Sequence, residues 1–165
     1  MLRKLPGIIL VIMVTLAGIN VWADKGKPLS ESVLRLHIIA NSDDPHDQAL
    51  KLEIKDCLVK SLSNEFTDLG DAQEARALAV NNIPQIKKTA EEVIAQKGYD
   101  YPVQVYVGEY EFPTKSYGNV VFPQGQYQAV RVVIGEGEGK NWWRVLFPPL
   151  CMVSSTDKGI SLDTP

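Results

Sequence analysis

The sequence predicts an α+β domain, with helices packed on one face of a mostly antiparallel sheet in two layers. Three observations carry this. Residues 44–98 repeat their apolar side chains at helical spacing between clear start and stop signals, the period changes to two from Tyr99 onward, and one alternating stretch, 33–40, precedes the helices. Apolar stripes on helices and on one sheet face are buried together by stacking the two layers. The sequence contains no internal repeat.

The N-terminus reads as a targeting segment. Arg3 and Lys4 precede an apolar run from Leu5 to Ile19, and Val21, Trp22 and Ala23 follow at the positions a signal peptidase inspects. This predicts a signal peptide at 1–23, cleaved after Ala23. The alternative is an uncleaved anchor, because about 20 apolar residues suffice to cross a bilayer. Leu16, Ala17 and Gly18 are followed by Ile19 where a lipidated cysteine would stand, so no lipid anchor is implied. Without residues 1–23 the chain keeps 15 basic against 20 acidic residues, a formal charge of −5. That balance disfavours a nucleic-acid partner. The remaining 142 residues divide into a tether at 24–32, a single domain at 33–153 and a polar tail at 154–165.

Within 33–40, Leu34, Leu36 and Ile38 share the inward face of a strand, and Arg35 and His37 share the other, read as a polar surface. Asn41, Ser42 and Asp43 form a turn. Asp44 then caps a helix with Pro45 at its first position and Asp47 at its third. Leu50, Ile54, Cys57, Leu58 and Leu62 fall on one helix face, so Cys57 is expected to be a buried, inert thiol. A second helical region opens with the box-like Asp71–Glu74 and stops at Gly98. Pro84 lies inside it, which predicts a kinked helix or two helices sharing one face.

Val103, Val105 and Val107 then alternate with Gln104, Tyr106 and Gly108 in a half-buried strand. Residues 112–119 are expected to connect it to a short extended piece at 120–122. Pro123, Gln124 and Gly125 suit a type I turn closing a hairpin. The returning strand buries Val130, Val132 and Ile134. The chain enters GEGEG, 135–139, whose flanking carboxylates make it a tight connection and not a phosphate loop. In a last strand, Asn141 to Phe147, the face with Trp143, Val145 and Phe147 is core. Trp142, Arg144 and Leu146 share the other face, where the Arg144 guanidinium can lie over the Trp142 indole. Pro148 and Pro149 end this strand or place it at an edge.

Catalytic sets are sparse. No G-x-S-x-G elbow is present, and two histidines with two scattered cysteines have no metal-ligand spacing. Cysteine chemistry would have to pair Cys151 or Cys57 with His37 or His46. Cys57 falls on a core stripe and His46 in a solvated first turn, so the enzymatic alternative is an exported thiol hydrolase using Cys151 and His37. A wall-associated structural domain is another alternative. No cofactor is expected. An exported domain with shaped tryptophan, proline and tyrosine segments suits recognition better than turnover. The candidate partner-binding residues are Arg35, His37, Asn41, Ser42, Asp43, Asp47, Gln48, Trp142 and Arg144.

Two segments, LRLHIIANSDDPHDQALKLEIKD at 34–56 and FPQGQYQAVRVVIGEGEGKNWWRVLFPPLC at 122–151, resemble the stage II sporulation protein R family, with FPTKSYGN at 112–119 between them in the family order. The resemblance implies a signalling protein made in the forespore and exported into the space between forespore and mother-cell membranes. There it would trigger a membrane-embedded aspartic protease that processes the sigma-E precursor. One departure stands out. The family usually carries a cysteine where this chain has Arg144, so a local bridge to Cys151 cannot form. Cys151 then pairs with Cys57 or stays free, and the core position read for Cys57 favours the free thiol.

Overall fold

The computed structural model describes residues 27–149. The expected signal segment, the cleavage position after Ala23, the polar tail and Cys151 lie outside them. A short helix α1 (Leu29–Ser32) leads into β1 (Leu34–Ile39). Helix α2 (Pro45–Ser63) starts as expected, with the Asp44 carboxylate accepting from the His46 amide at 2.8 Å. Asp71 opens α3 (Ala72–Asn81) by accepting from the Gln73 and Glu74 amides, both at 2.9 Å. The Glu74 side chain accepts in return from the Gly70 amide, and a cap of this kind is worth about 1 kcal/mol.

The proline ambiguity resolves as two helices. Asn82 separates α3 from α4 (Ile83–Gln96), which puts Pro84 in a first turn, where its missing N–H costs nothing. At the far end the Gly98 amide donates to Ala95 O and the Tyr99 amide to Ile94 O, the pairing of a Schellman motif.

Strands β2 (Val103–Phe112), β5 (Gly125–Ile134) and β6 (Asn141–Phe147) join β1 in one sheet of order β2-β5-β1-β6. The β2/β5 and β1/β6 pairs are antiparallel, and β1/β5 is parallel. All the helices after β1 contribute to one core. Leu34, Leu36 and Ile38 of β1 and Val130, Val132 and Ile134 of β5 meet Leu50, Ile54, Leu58 and Leu62 of α2 and Ile86, Ala90 and Ile94 of α4. Each of these valine, leucine and isoleucine side chains contributes roughly 1.5–3 kcal/mol through burial. The predicted α+β architecture is therefore found.

Four local expectations are corrected. The hairpin does not turn at Pro123–Gly125. It is formed by β3 (Lys115–Tyr117) and β4 (Val120–Phe122), because β2 and β5 pair along their whole length up to Phe112 and Gly125 and residues 113–124 loop out between them. Gly118 supplies the positive φ, +60°, at the first central turn position. Cys57 is exposed and free, not a core residue. The buried stripe of α2 runs through Asp47, Leu50, Lys51, Ile54, Leu58 and Leu62, which turns Cys57 to solvent. The Arg35 and His37 face is not surface, since all six residues of β1 are buried. Finally, a register irregularity between Leu34 and Arg35 carries Phe147 into the helix-side core with Leu146, while Trp143 and Val145 belong to a second, aromatic cluster.

The GEGEG connection is pinned to the β1–α2 turn. The Gly139 amide donates to Ala40 O and the Glu138 amide to Asn41 O. Gly135 has φ +57°, and a Cβ there would overlap the Asn41 side chain. Gly135→Ala should therefore lower the unfolding free energy measured in urea by more than the roughly 1–2 kcal/mol of a left-handed residue alone. Gly118→Ala, in open space at φ +60°, should lose only that amount. Equal losses in the two variants would show that the close approach at Gly135 contributes nothing.

Candidate functional site

Strand β6 brings the three predicted groups of site residues together. At its start, the Lys140 amide donates to Asp43 Oδ1 at 2.8 Å, and Lys51 Nζ donates to Lys140 O at 2.9 Å. Lys51 also reaches Gln48 Oε1, while Gln48 Nε2 donates to Ser42 O. Asp47 accepts from Asn41 Nδ2 at 2.7 Å and Ser42 Oγ at 2.6 Å, and Asn41 Oδ1 accepts from the Glu136 amide. Burial alone would raise the Asp47 pKa. The hydrogen bonds from Ser42, Asn41 and Tyr101 outweigh it and hold the carboxyl below its usual range. Asn41, Ser42, Asp43, Asp47 and Gln48 thus lock the turn to the 135–140 loop.

Arg35 is 0 % exposed. Its guanidinium carbon lies 4.1 Å from the Phe112 ring centroid, 4.7 Å from Tyr127 and 5.3 Å from Phe122. Nη2 donates to Tyr117 Oη at 3.2 Å, and Tyr117 Oη donates in turn to Trp143 O at 3.0 Å. One buried cation thereby ties the central strand to the β3–β4 hairpin and to β6. Burial lowers the Arg35 pKa from its ordinary value, opposed by Tyr117 and Tyr127.

His37 is 6 % exposed. Its ring stacks on Trp143 with centroids 3.7 Å apart, and Nε2 lies 2.8 Å from Asn141 Oδ1. With that oxygen as acceptor, Nε2 carries the proton. Burial pushes the His37 pKa down to about 4; the Asn141 bond opposes this and the nearby Arg131 and Arg35 charges add to it. The ring is enclosed between Trp143 and Phe112, an arrangement suited to a neutral core histidine and poorly suited to a thiolate's base. Cys151, its expected counterpart, lies outside the described residues.

Trp142 and Arg144 form the accessible part. The Arg144 guanidinium sits 5.5 Å from the Trp142 ring, as the alternation predicts, and 5.2 Å from the Tyr117 ring, while Lys55 approaches the same indole at 5.5 Å. Tyr117, Lys51, Asn141 and Arg131 were missing from the sequence-based set. A turn signal, Gly118–Asn119, flanks Tyr117, but nothing local announces that Lys51 or Arg131 faces inward. No group of metal-binding residues occurs among the described residues.

The depressed His37 pKa makes stability depend on pH. Between about pH 6.5 and about 4 the unfolded chain binds more protons at this residue than the folded one, so the contribution is complete above 6.5 and is lost as pH falls. The loss is on the order of 3 kcal/mol. Unfolding midpoints measured across this window should fall for the wild type and run flatter for His37→Gln. Parallel curves would remove His37 as the source.

The family model described as Stage II sporulation protein R matches residues 30–157, which include all six strands of the described residues. Stage II sporulation protein R of Bacillus subtilis (strain 168) is 40% identical over 125 residues, covering 76% of this chain and 56% of the relative. The chain thus spans little more than half the length of that curated relative. No solved structure matches it. With the family match running over most of the chain, through both halves of the sheet and the helices between them, this protein belongs to the stage II sporulation protein R family.

Proposed function

We propose that this chain is an exported signalling protein that activates a membrane-embedded aspartic protease, which then processes the sigma-E precursor in the mother cell. It acts in the space between the forespore and mother-cell membranes, and it acts as a ligand. Family membership carries the sporulation role. The enclosed, neutral His37 supports a ligand over the thiol hydrolase, because that hydrolase would need this imidazole as its base.

Such a ligand must bind the active arrangement of the protease more tightly than the resting one. Moving an equilibrium from 1:99 to 99:1 requires about 10⁴-fold preference. Arg35, His37 and Asp47 are buried and shape the domain from within, so direct contact falls to half-exposed side chains such as Trp142 and Arg144. Val120, paired across the hairpin with the Tyr117 that Arg144 lies against, and its neighbour Val121 are exposed apolar residues. Tryptophan and arginine on a ridge of this kind are the residue types that dominate binding energies.

The test is reconstitution in a non-sporulating host that carries the protease and the sigma-E precursor, comparing the chain with and without residues 1–23. Precursor cleavage that requires the leader is the expected result. No cleavage by a folded, exported protein overturns the reading. In the same host Trp142→Ala and Arg144→Ala should each reduce cleavage at least about fivefold, as for interface losses above 1 kcal/mol. Undiminished cleavage in both would move the contact surface elsewhere.

A further inference from the structure

On the sheet face turned away from α2–α4, three side chains hold buried nitrogen atoms without hydrogen-bond partners: Nε and Nη1 of Arg35, Nδ1 of His37 and Nε of Arg131. They are neighbours. Arg131 lies directly across from His37 in the parallel β1/β5 register, and Arg35 is two residues along β1 on the same face. Trp143 stacks on His37 from one side. On the other, the Tyr110 ring lies 5.2 Å from the Arg131 guanidinium and across Gly108, where a Cβ would meet that ring at 3.6 Å.

Neither arginine has a carboxylate partner among the described residues. Each buried arginine N–H left without an acceptor costs roughly 1–3 kcal/mol, and folded proteins rarely keep several together; His37 Nδ1, bare while Nε2 carries the proton, is an unmet acceptor beside them. A buried cation without a counter-charge costs more, and the surrounding rings offset only part of it. The cluster is also a positive spot in a chain of formal charge −3, so its field is local to this face.

We propose that this face binds a carboxylate, the side chain of an aspartate or glutamate on a partner polypeptide, with the half-exposed Arg131 as first contact. An arginine fork matches the two oxygens of a carboxylate, and the Tyr110 and Trp143 rings provide apolar walls for the residues beside it. Arg35, fully buried behind, strengthens the site through its charge. His37 lies between them, faced by Arg131 of β5, Arg35 of β1, Asn141 and Trp143 of β6 and Phe112 of β2. Burial first, and then the two cations, keep its ring neutral, and an arriving anion offsets the contribution of the cations. Carboxylate binding therefore raises the His37 pKa from about 4 and tightens as pH falls. That the partner is the protease rests on the proposed signalling role; the site does not.

The test uses isotope-labelled full-chain protein, with the arginine Nε–H resonances and the His37 titration followed by NMR. The probes are N-acetylglutamate amide, its uncharged match N-acetylglutamine amide, and sodium chloride at equal ionic strength. A saturable shift at Arg131 with the glutamate probe is expected, with the His37 pKa moving upward. Binding should be roughly tenfold weaker or more with the glutamine probe and in Arg131→Gln, the loss that follows from removing one charged hydrogen-bond partner. Arg131→Lys, which keeps the charge and removes the fork, should weaken binding less. A glutamate response no larger than that to glutamine or chloride, or one unchanged in both variants, overturns the proposal. No protease is present, so this outcome is independent of the reconstitution.

Discussion

The constraint on which this structure depends is that β1 lies between β5 and β6 and is buried on both faces. A strand in that position needs cover on both sides. The helices cover one face with aliphatic side chains, and an aromatic layer with the β3–β4 hairpin covers part of the other. Because β1 brings Arg35 into that second layer, the cover must also accommodate a charge. Rings above the guanidinium and the relay through Tyr117 to the Trp143 carbonyl do so. A single polar side chain thus joins the packing of Phe122 and Tyr117 in holding the hairpin to the sheet.

The second polar cluster works at the other end of β1. Asp47 and Lys51 sit one turn apart on α2, and each extends to a different partner, Asp47 to the turn after β1 and Lys51 to the loop before β6. The loop can approach this closely only because it lacks side chains where Asn41 packs. Buried polar networks of this sort add little net stability and select one arrangement over its neighbours. Here they set the register and direction in which β6 begins. Through β6 they also set where Trp142, Trp143 and Arg144 are presented.

Under the proposed role as a ligand, presentation is the function. The tryptophan-rich strand is held at one end by the turn–loop lock and in its middle by the Arg35–Tyr117 relay, so its outward side chains have little conformational entropy left to lose on binding. The face around Arg131 extends the same logic, since it combines rigid rings with unmet donors. Both surfaces are the ones on which the proposed recognition of a partner rests.

Much of this was legible locally. The caps at Asp44 and Asp71, the stop at Gly98, the extent of β6 and the connecting role of GEGEG depend on residues within a few positions of each other, and backbone chemistry at that range determines them. So does the pairing of Arg144 with Trp142, neighbours on one strand face. What alternation cannot reveal is whether a polar face meets water or a second layer. Arg35 and His37 read as surface because their cover comes from residues 112–127 and from Trp143, roughly eighty to a hundred positions away. Cys57 read as core because helical spacing defines a stripe only to within one residue's rotation, and the buried stripe runs instead through Asp47 and Lys51. The sequence by itself determined the long helices and strands, their order, most of the helix-side core and the family. Tertiary structure alone decided which strand was central, which polar groups were enclosed and which hairpin formed, because those outcomes depend on free energies of burial that arise only when remote segments meet.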